Sequence, residues 1–346
     1  MAITEWDEYL IHQTADTIDT GLNDDPHFMD RLYFGCHNRE GTLHLAVGLG
    51  TYPNINIMDG YVVVRHNNVQ HNLRLSRHLK GDRAHTQIGP LSIKVIEPLK
   101  RWGIYLGDND YDMRCSVEFE GRLPPYLCRK LLMPTANGGT VGHGHYFQPG
   151  LYKGSITIDS QQFNVDGFIG ARDRSWGIRR GGGGEFLGVQ FWIQVRFPSF
   201  SFALVYVDLW DGTALWCDGA ILNDDGSVIP IAEMRHRIEL MPTVRALNKV
   251  EMLLKDVDGG ERHLTARPIS PALYLNGGGY DRHGEDRGPL SIEGEQWDVS
   301  QPAEIGSPRF GMHEHIAEFQ LDGERGVGIL EATFNSRKEH EYKPGW

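Results

Sequence analysis

No run of about 18 uninterrupted apolar residues occurs in the 346-residue sequence, which excludes a membrane-spanning helix. Positive charge is in deficit. The 34 Lys and Arg face 46 Asp and Glu, a formal net charge of −12, so the chain offers no polycation to nucleic acid or an anionic membrane. Cysteine is sparse and scattered: Cys36, Cys115, Cys128 and Cys217 form no C-x-x-C pair, which disfavours a zinc ribbon or thioredoxin-like motif and favours reduced, buried thiols. The segment Met1–Asp19 is acidic, with neither the basic nor the apolar region of a secretory signal, so a cytoplasmic location is expected. Sustained helical periodicity is missing too; Leu123–Met133 is the one candidate helix, and Pro124 and Pro125 interrupt it. There is no Gly-x-Ser-x-Gly elbow and no Cys-His signature. Arg179-Arg-Gly-Gly-Gly-Gly lacks the Lys-Ser/Thr of a phosphate loop and the strand-to-helix setting of a dinucleotide site. No nicotinamide, flavin, nucleotide or stoichiometric metal cofactor is therefore expected.

What fills the chain instead is strand. Arg31–Gly35, Thr42–Gly50, Gly60–Arg65, Leu91–Ile96, Trp102–Leu106, Arg114–Phe119, Gly154–Ile158 and Gln161–Val165 are short, β-branched or aromatic, and bounded by turn residues. The second half repeats the style in Phe186–Phe197, Ser201–Leu209, Thr213–Leu222, Ser227–Ile231, Arg235–Met241, Val250–Asp256, His313–Leu321 and Val327–Phe334. Asp211-Gly, Asp224-Asp-Gly and Asp258-Gly-Gly are turns. The 42 glycines suit strongly bent sheets. An all-β protein of barrels or sandwiches follows, and its length argues for two domains, residues 1–168 and 169–346. Gly181-Gly-Gly-Gly-Glu reads as a flexible loop, and Tyr274–Pro308 as a long excursion rich in Gly, Pro and charge.

The densest cluster of chemistry is Gly170-Ala-Arg-Asp-Arg-Ser-Trp-Gly. In an extended strand Asp173 lies on one face and Arg172 and Arg174 on the other, and the neighbouring cations favour the carboxylate. The cluster reads equally as a structural corner, with an Asp–Arg pair and Trp176 as a plug between domains. This stretch resembles the Asp-x-x-Trp-Gly signature at the start of the second domain in the carotenoid 1,2-hydratase/AttH-like superfamily. Arg31-Leu-Tyr-Phe, Gly50-Thr-Tyr-Pro-Asn and Gly326-Val-Gly-Ile-Leu-Glu extend the resemblance over most of the chain. Arg172 stands where many members carry histidine. The superfamily includes hydroxyneurosporene synthases and some fungal Diels–Alderases. The resemblance implies two tandem lipocalin-like β-barrels and a cofactor-independent reaction on an apolar substrate: hydration, dehydration, isomerisation or cyclisation.

Histidines two apart share a strand face, so His143 with His145, and His313 with His315, are candidate acid–base groups. If the two pairs converge they could also hold a metal, which leaves a metal-dependent enzyme as an alternative. Asp173 is the candidate acid–base residue, with Tyr146 as an auxiliary. Trp176, Arg172, Arg174, Phe191, Trp192, Tyr206, Trp216 and Glu331 are candidate walls of a substrate pocket. Aromatic alternation around Phe191–Trp216 is core-like, and in a barrel the core face is also a cavity wall. Glu331 sits on an apolar strand, where an unpaired carboxylate would be costly. The expected partner is an apolar small molecule, as substrate or as the cargo of a non-catalytic carrier; nucleic acid and a membrane span are excluded, and a homodimer is left open.

Overall fold

Alternating apolar residues separated by Gly, Asp and Pro turns produce what they predict: strands make up 68% of the protein and helix 2%, which decides for an all-β fold. The structure, a computed structural model, describes residues 15, 17, 24–134, 140–178, 187–241, 246–303 and 311–334. The glycine run at 181–184, Arg179 and Arg180 lie outside the described residues. Among the described residues no helix is long and apolar enough to cross a membrane.

The strands form two antiparallel sheets. In the first, Val69–His78, Ile57–His66, Leu43–Tyr52, Phe28–His37, Phe168–Ile178, Thr140–Ile158, Met113–Gly121, Arg101–Leu106 and Leu91–Glu97 follow one another. The sheet curls until its ends meet, because Val62 and Leu73 share one buried core with Ile88, Leu91 and Trp102. Gly60 permits this closure; a Cβ there would lie 3.2 Å from Leu91 Cδ2 and 2.8 Å from the Gly48 carbonyl oxygen. In the second sheet the path runs from Glu261–Pro268 through Leu247–Asp256, Val228–Leu240, Ala214–Asn223, Phe200–Leu209, Leu187–Arg196 and Glu324–Phe334 to Met312–Leu321. Met312–Leu321 then pairs with Glu261–Pro268, closing the barrel on itself and leaving no open edge there.

The strand Phe168–Ile178 is hydrogen-bonded within the first sheet, and Leu187–Arg196 opens the second, so the sheets divide between residues 178 and 187 rather than at 168. The candidate helix Leu123–Met133 is instead two short strands, Tyr126–Leu127 and Leu131–Pro134, paired with Thr140–Ile158. The Tyr274–Pro308 excursion crosses back and adds Leu290–Asp298 as an edge strand beside Val69–His78. Val69–His78 is polar in sequence, and the excursion explains its burial. Gln70 Oε1 accepts from Tyr274 N at 2.8 Å, its Nε2 donates to Tyr274 O at 2.9 Å, and Arg74 Nη1 donates to Gly277 O at 2.7 Å.

A buried polar bracket holds the second barrel. Asp208 Oδ1 accepts from Val189 N at 2.6 Å, and His236 Nε2 lies 2.8 Å from Asp208 Oδ2, with both side chains buried. Asp208→Asn keeps the shape but loses the charge assistance. The expected loss is about 2 kcal/mol in urea unfolding, and an unchanged unfolding midpoint would show the bracket to be idle.

Candidate active site at the junction of the barrels

The outer faces of the two barrels pack together. Tyr33, Ala46, Val63 and Ala171 of the first sheet meet Trp192, Ile316 and Ile329 of the second, while Phe147 and Cys128 meet Ala203, Val205 and Ala220. Two apolar patches thus seal the junction and carry a band of polar side chains with them.

Strand alternation decides which side chains enter this band. On Phe168–Ile178, Arg172 and Arg174 turn toward the first barrel's interior, and Asp173 turns outward. Its register neighbours are Tyr33 and Phe147. His145 Nε2 lies 3.3 Å from Asp173 Oδ2, and the Asp173 side chain retains 16% exposure. Cys128 Sγ lies 3.6 Å from His145 Nδ1, so cysteine, histidine and aspartate stand in a line. Burial, helped by Asp218 and Asp173, pushes the Cys128 thiol up, which leaves it a neutral partner for the imidazole. Trp216 stands edge-on to His145 and His143, with ring centroids 6.3 and 6.1 Å away.

Facing Tyr33 across the junction is a carboxyl group. Tyr33 Oη donates to Glu314 Oε1 at 2.5 Å. Glu314 is fully buried. Burial pushes it up to about 8, Asp173 adds to the rise, and the Tyr33 hydrogen bond opposes it. His44 Nε2 lies 3.1 Å from Glu314 Oε2, short in distance but without hydrogen-bond alignment. Burial and Arg65 hold His44 well below the usual imidazole range. At neutral pH Glu314 is therefore a protonated acid beside a neutral imidazole. Glu331 is its register neighbour on the adjacent strand, and Trp192, Glu331's other neighbour, meets Tyr33 edge-on at 5.1 Å.

The model of a family of unknown function, DUF8625, matches residues 3–340. The chain belongs to DUF8625. No curated protein matches it in sequence. Among solved structures this DUF8625 member is similar to a candidate AttH from Nitrosomonas europaea, with TM-score 0.59 and 14% identity over 93% of this chain and 95% of that one. It is also similar to CghA, in a structure with Sch210972, with TM-score 0.54 and 10% identity over 90% and 89% of the two chains. Kievitone hydratase from Nectria haematococca follows at TM-score 0.44 and 11% identity, over 89% of each. At such identities the likeness to the first two is one of fold, and it agrees with the tandem-barrel fold that the AttH-like motifs imply.

The DUF8625 chain gathers some of the predicted residues and disperses others. Asp173, His145, His143, Trp192, Trp216 and Glu331 come to the junction. His313 and His315 line a separate cavity of about 320 Å³ in the second barrel, so the two His-x-His pairs do not converge. Phe191 and Tyr206 lie inside the second barrel beside His236. Arg172 and Tyr146 lie inside the first, bonded to each other through Arg172 Nη1 and Tyr146 Oη at 3.0 Å. Arg174 pairs with Asp30, so neither arginine partners Asp173. Trp176 is 37% exposed, stands edge-on to Tyr146, and packs over Gly144, so it is no plug between barrels. Sequence reasoning missed Glu314, Tyr33, His44 and Cys128. Glu314 sits between His313 and His315, and period-two alternation of that strand was the signal that it faces the other way.

Proposed function

We propose that this DUF8625 member is a cofactor-independent lyase of the hydratase type, or an isomerase or cyclase, acting on an apolar substrate at the junction of its barrels. One observation carries the reading: two carboxyl groups, Asp173 beside His145 and the raised Glu314 behind Tyr33, share one buried band. A carboxyl group raised by burial and a neighbouring charge marks a candidate acid–base site. In the dehydrating direction Asp173, oriented by His145, takes a proton from carbon. The departing hydroxyl takes a proton from the Tyr33–Glu314 side and leaves as water. In the hydrating direction both transfers reverse. Trp192, Trp216 and Phe147 supply apolar walls, and aromatic faces favour a cationic intermediate. The fold likeness to CghA, whose structure is one with Sch210972, adds support that this architecture takes a small organic molecule.

The test is mass spectrometry of small molecules that co-purify with the protein, followed by incubation with each. Products shifted by 18 Da, or isomers of unchanged mass, are expected and should vanish with heat-denatured protein. Apolar ligands recovered unaltered under all conditions would leave a carrier and end the enzymatic reading.

A further inference from the structure

Away from the junction, one end of the first barrel holds three buried N–H donors with no acceptor: Trp102 Nε1, Arg172 Nη2 and Arg174 Nε. Orphaned buried donors are rare, and each calls for a partner. Arg172 is the most unusual of them, being entirely buried. Its Nε donates to Gln148 Oε1 at 2.8 Å, and its guanidinium lies over the rings of Trp102, Tyr146 and Phe119 at 5.1, 5.2 and 5.7 Å. Among the described residues no carboxylate pairs with it. Arg174, two residues along on the same strand face, gives Nη2 to Asp30 and keeps its Nε unused.

These donors adjoin a cavity. Trp102 and Arg174 form part of its wall, and Arg172 stacks behind the Trp102 ring. The cavity measures about 740 Å³, within the usual range for small-molecule sites. Leu32, Leu49 and Ile93 make it apolar, while Arg83 and Lys94 stand in its lining with Asp30 as the one carboxylate. In a chain of net charge −12 this is a local excess of positive charge over an apolar bed. All three orphans are donors, so the missing group is an acceptor.

We infer that the first barrel is a second ligand site, for a small molecule with an apolar body and a carboxylate head, the head seated at Trp102 and Arg174. The site is distinct from the junction, because Arg172 and Arg174 occupy the strand face opposite Asp173. Its failure therefore leaves the junction reading standing, and the converse holds as well.

Calorimetric titration of the whole protein with dodecanoate, dodecanol and dodecyltrimethylammonium, each below its micelle concentration, tests this. Dodecanoate should bind one to one, at least about tenfold tighter than dodecanol, as a charge-assisted hydrogen bond requires. The ammonium compound should not bind. Arg174→Gln should weaken dodecanoate about tenfold and leave dodecanol unchanged. Ser92→Trp, which adds bulk at the cavity lining, should abolish both, and Asp173→Asn should alter neither. Equal affinity for acid and alcohol, binding of the ammonium compound, or no binding would overturn the inference, since water alone would then satisfy the donors. Loss of dodecanoate binding in Asp173→Asn would also overturn it, by placing the ligand at the junction. The head-group comparison is made on the unmutated protein, so it stands even if a variant fails to fold.

Discussion

Asp173→Asn should lower turnover of the proposed junction reaction by about 10²–10⁴-fold, the usual worth of a general base, while the protein stays folded. The substitution keeps the volume and an oxygen for His145, which stands 3.3 Å away. It removes the proton acceptor. Stability should change little, because Asp173 is not locked between the arginines beside it in sequence; Arg174 is held by Asp30, and Arg172 by Gln148 and Tyr146. A bracing role would give the reverse pattern: breaking a buried ion pair costs about 3–5 kcal/mol, and activity would fall only as fast as the folded fraction. Melting temperature and turnover measured on the same variant separate the two. A variant both stable and fully active would remove Asp173 from the site and shift the base to His143 or His145.

Glu314→Gln should change the pH dependence of stability by several kcal/mol across the neutral range. The Glu314 carboxyl is raised from 4.5 to about 8 by burial, so the folded protein binds a proton there that the unfolded chain has released. Between about pH 5 and 8 the folded state holds more protons, and linkage makes stability fall as pH rises, by up to ~1.4 kcal/mol per pH unit from this group. Below the unfolded value both states are protonated and the contribution is flat. Glutamine copies the protonated acid, accepting from Tyr33 and turning its amide toward His44, but cannot ionise. The variant should match the natural protein near pH 5 and be markedly more stable at pH 9, in urea unfolding at a series of pH values. Parallel curves for the two proteins would show that Glu314 ionises normally. The acid limb should be common to both. Burial holds His37 at about 3 and His315 at about 4, so the folded state resists protons that the unfolded chain takes up below about 6.5, and stability falls as the pH falls there.

Much of the architecture was written locally. Segments such as Leu43–Tyr52 and Phe200–Leu209 carry β-branched and aromatic residues between turn residues, and that pattern specifies a strand wherever it is placed. The opposed faces of Asp173 and its arginines were also local, since a period of two needs no partner. Strands such as Val69–His78 and Leu290–Asp298 were not legible, because their polar residues are satisfied by segments some two hundred positions away. Neither was the candidate site. Tyr33 meets Glu314 across 281 positions, and His145 meets Asp173 from a neighbouring strand. Sequence alone therefore determined an all-β chain and the side of the strand on which Asp173 lies. Only the tertiary structure decided what Asp173 faces, that Glu314 is buried against Tyr33, and that the histidine pairs stay apart. The physical reason is that alternation sets a side chain's direction, whereas desolvation and charge proximity depend on which surfaces the closed barrels press together.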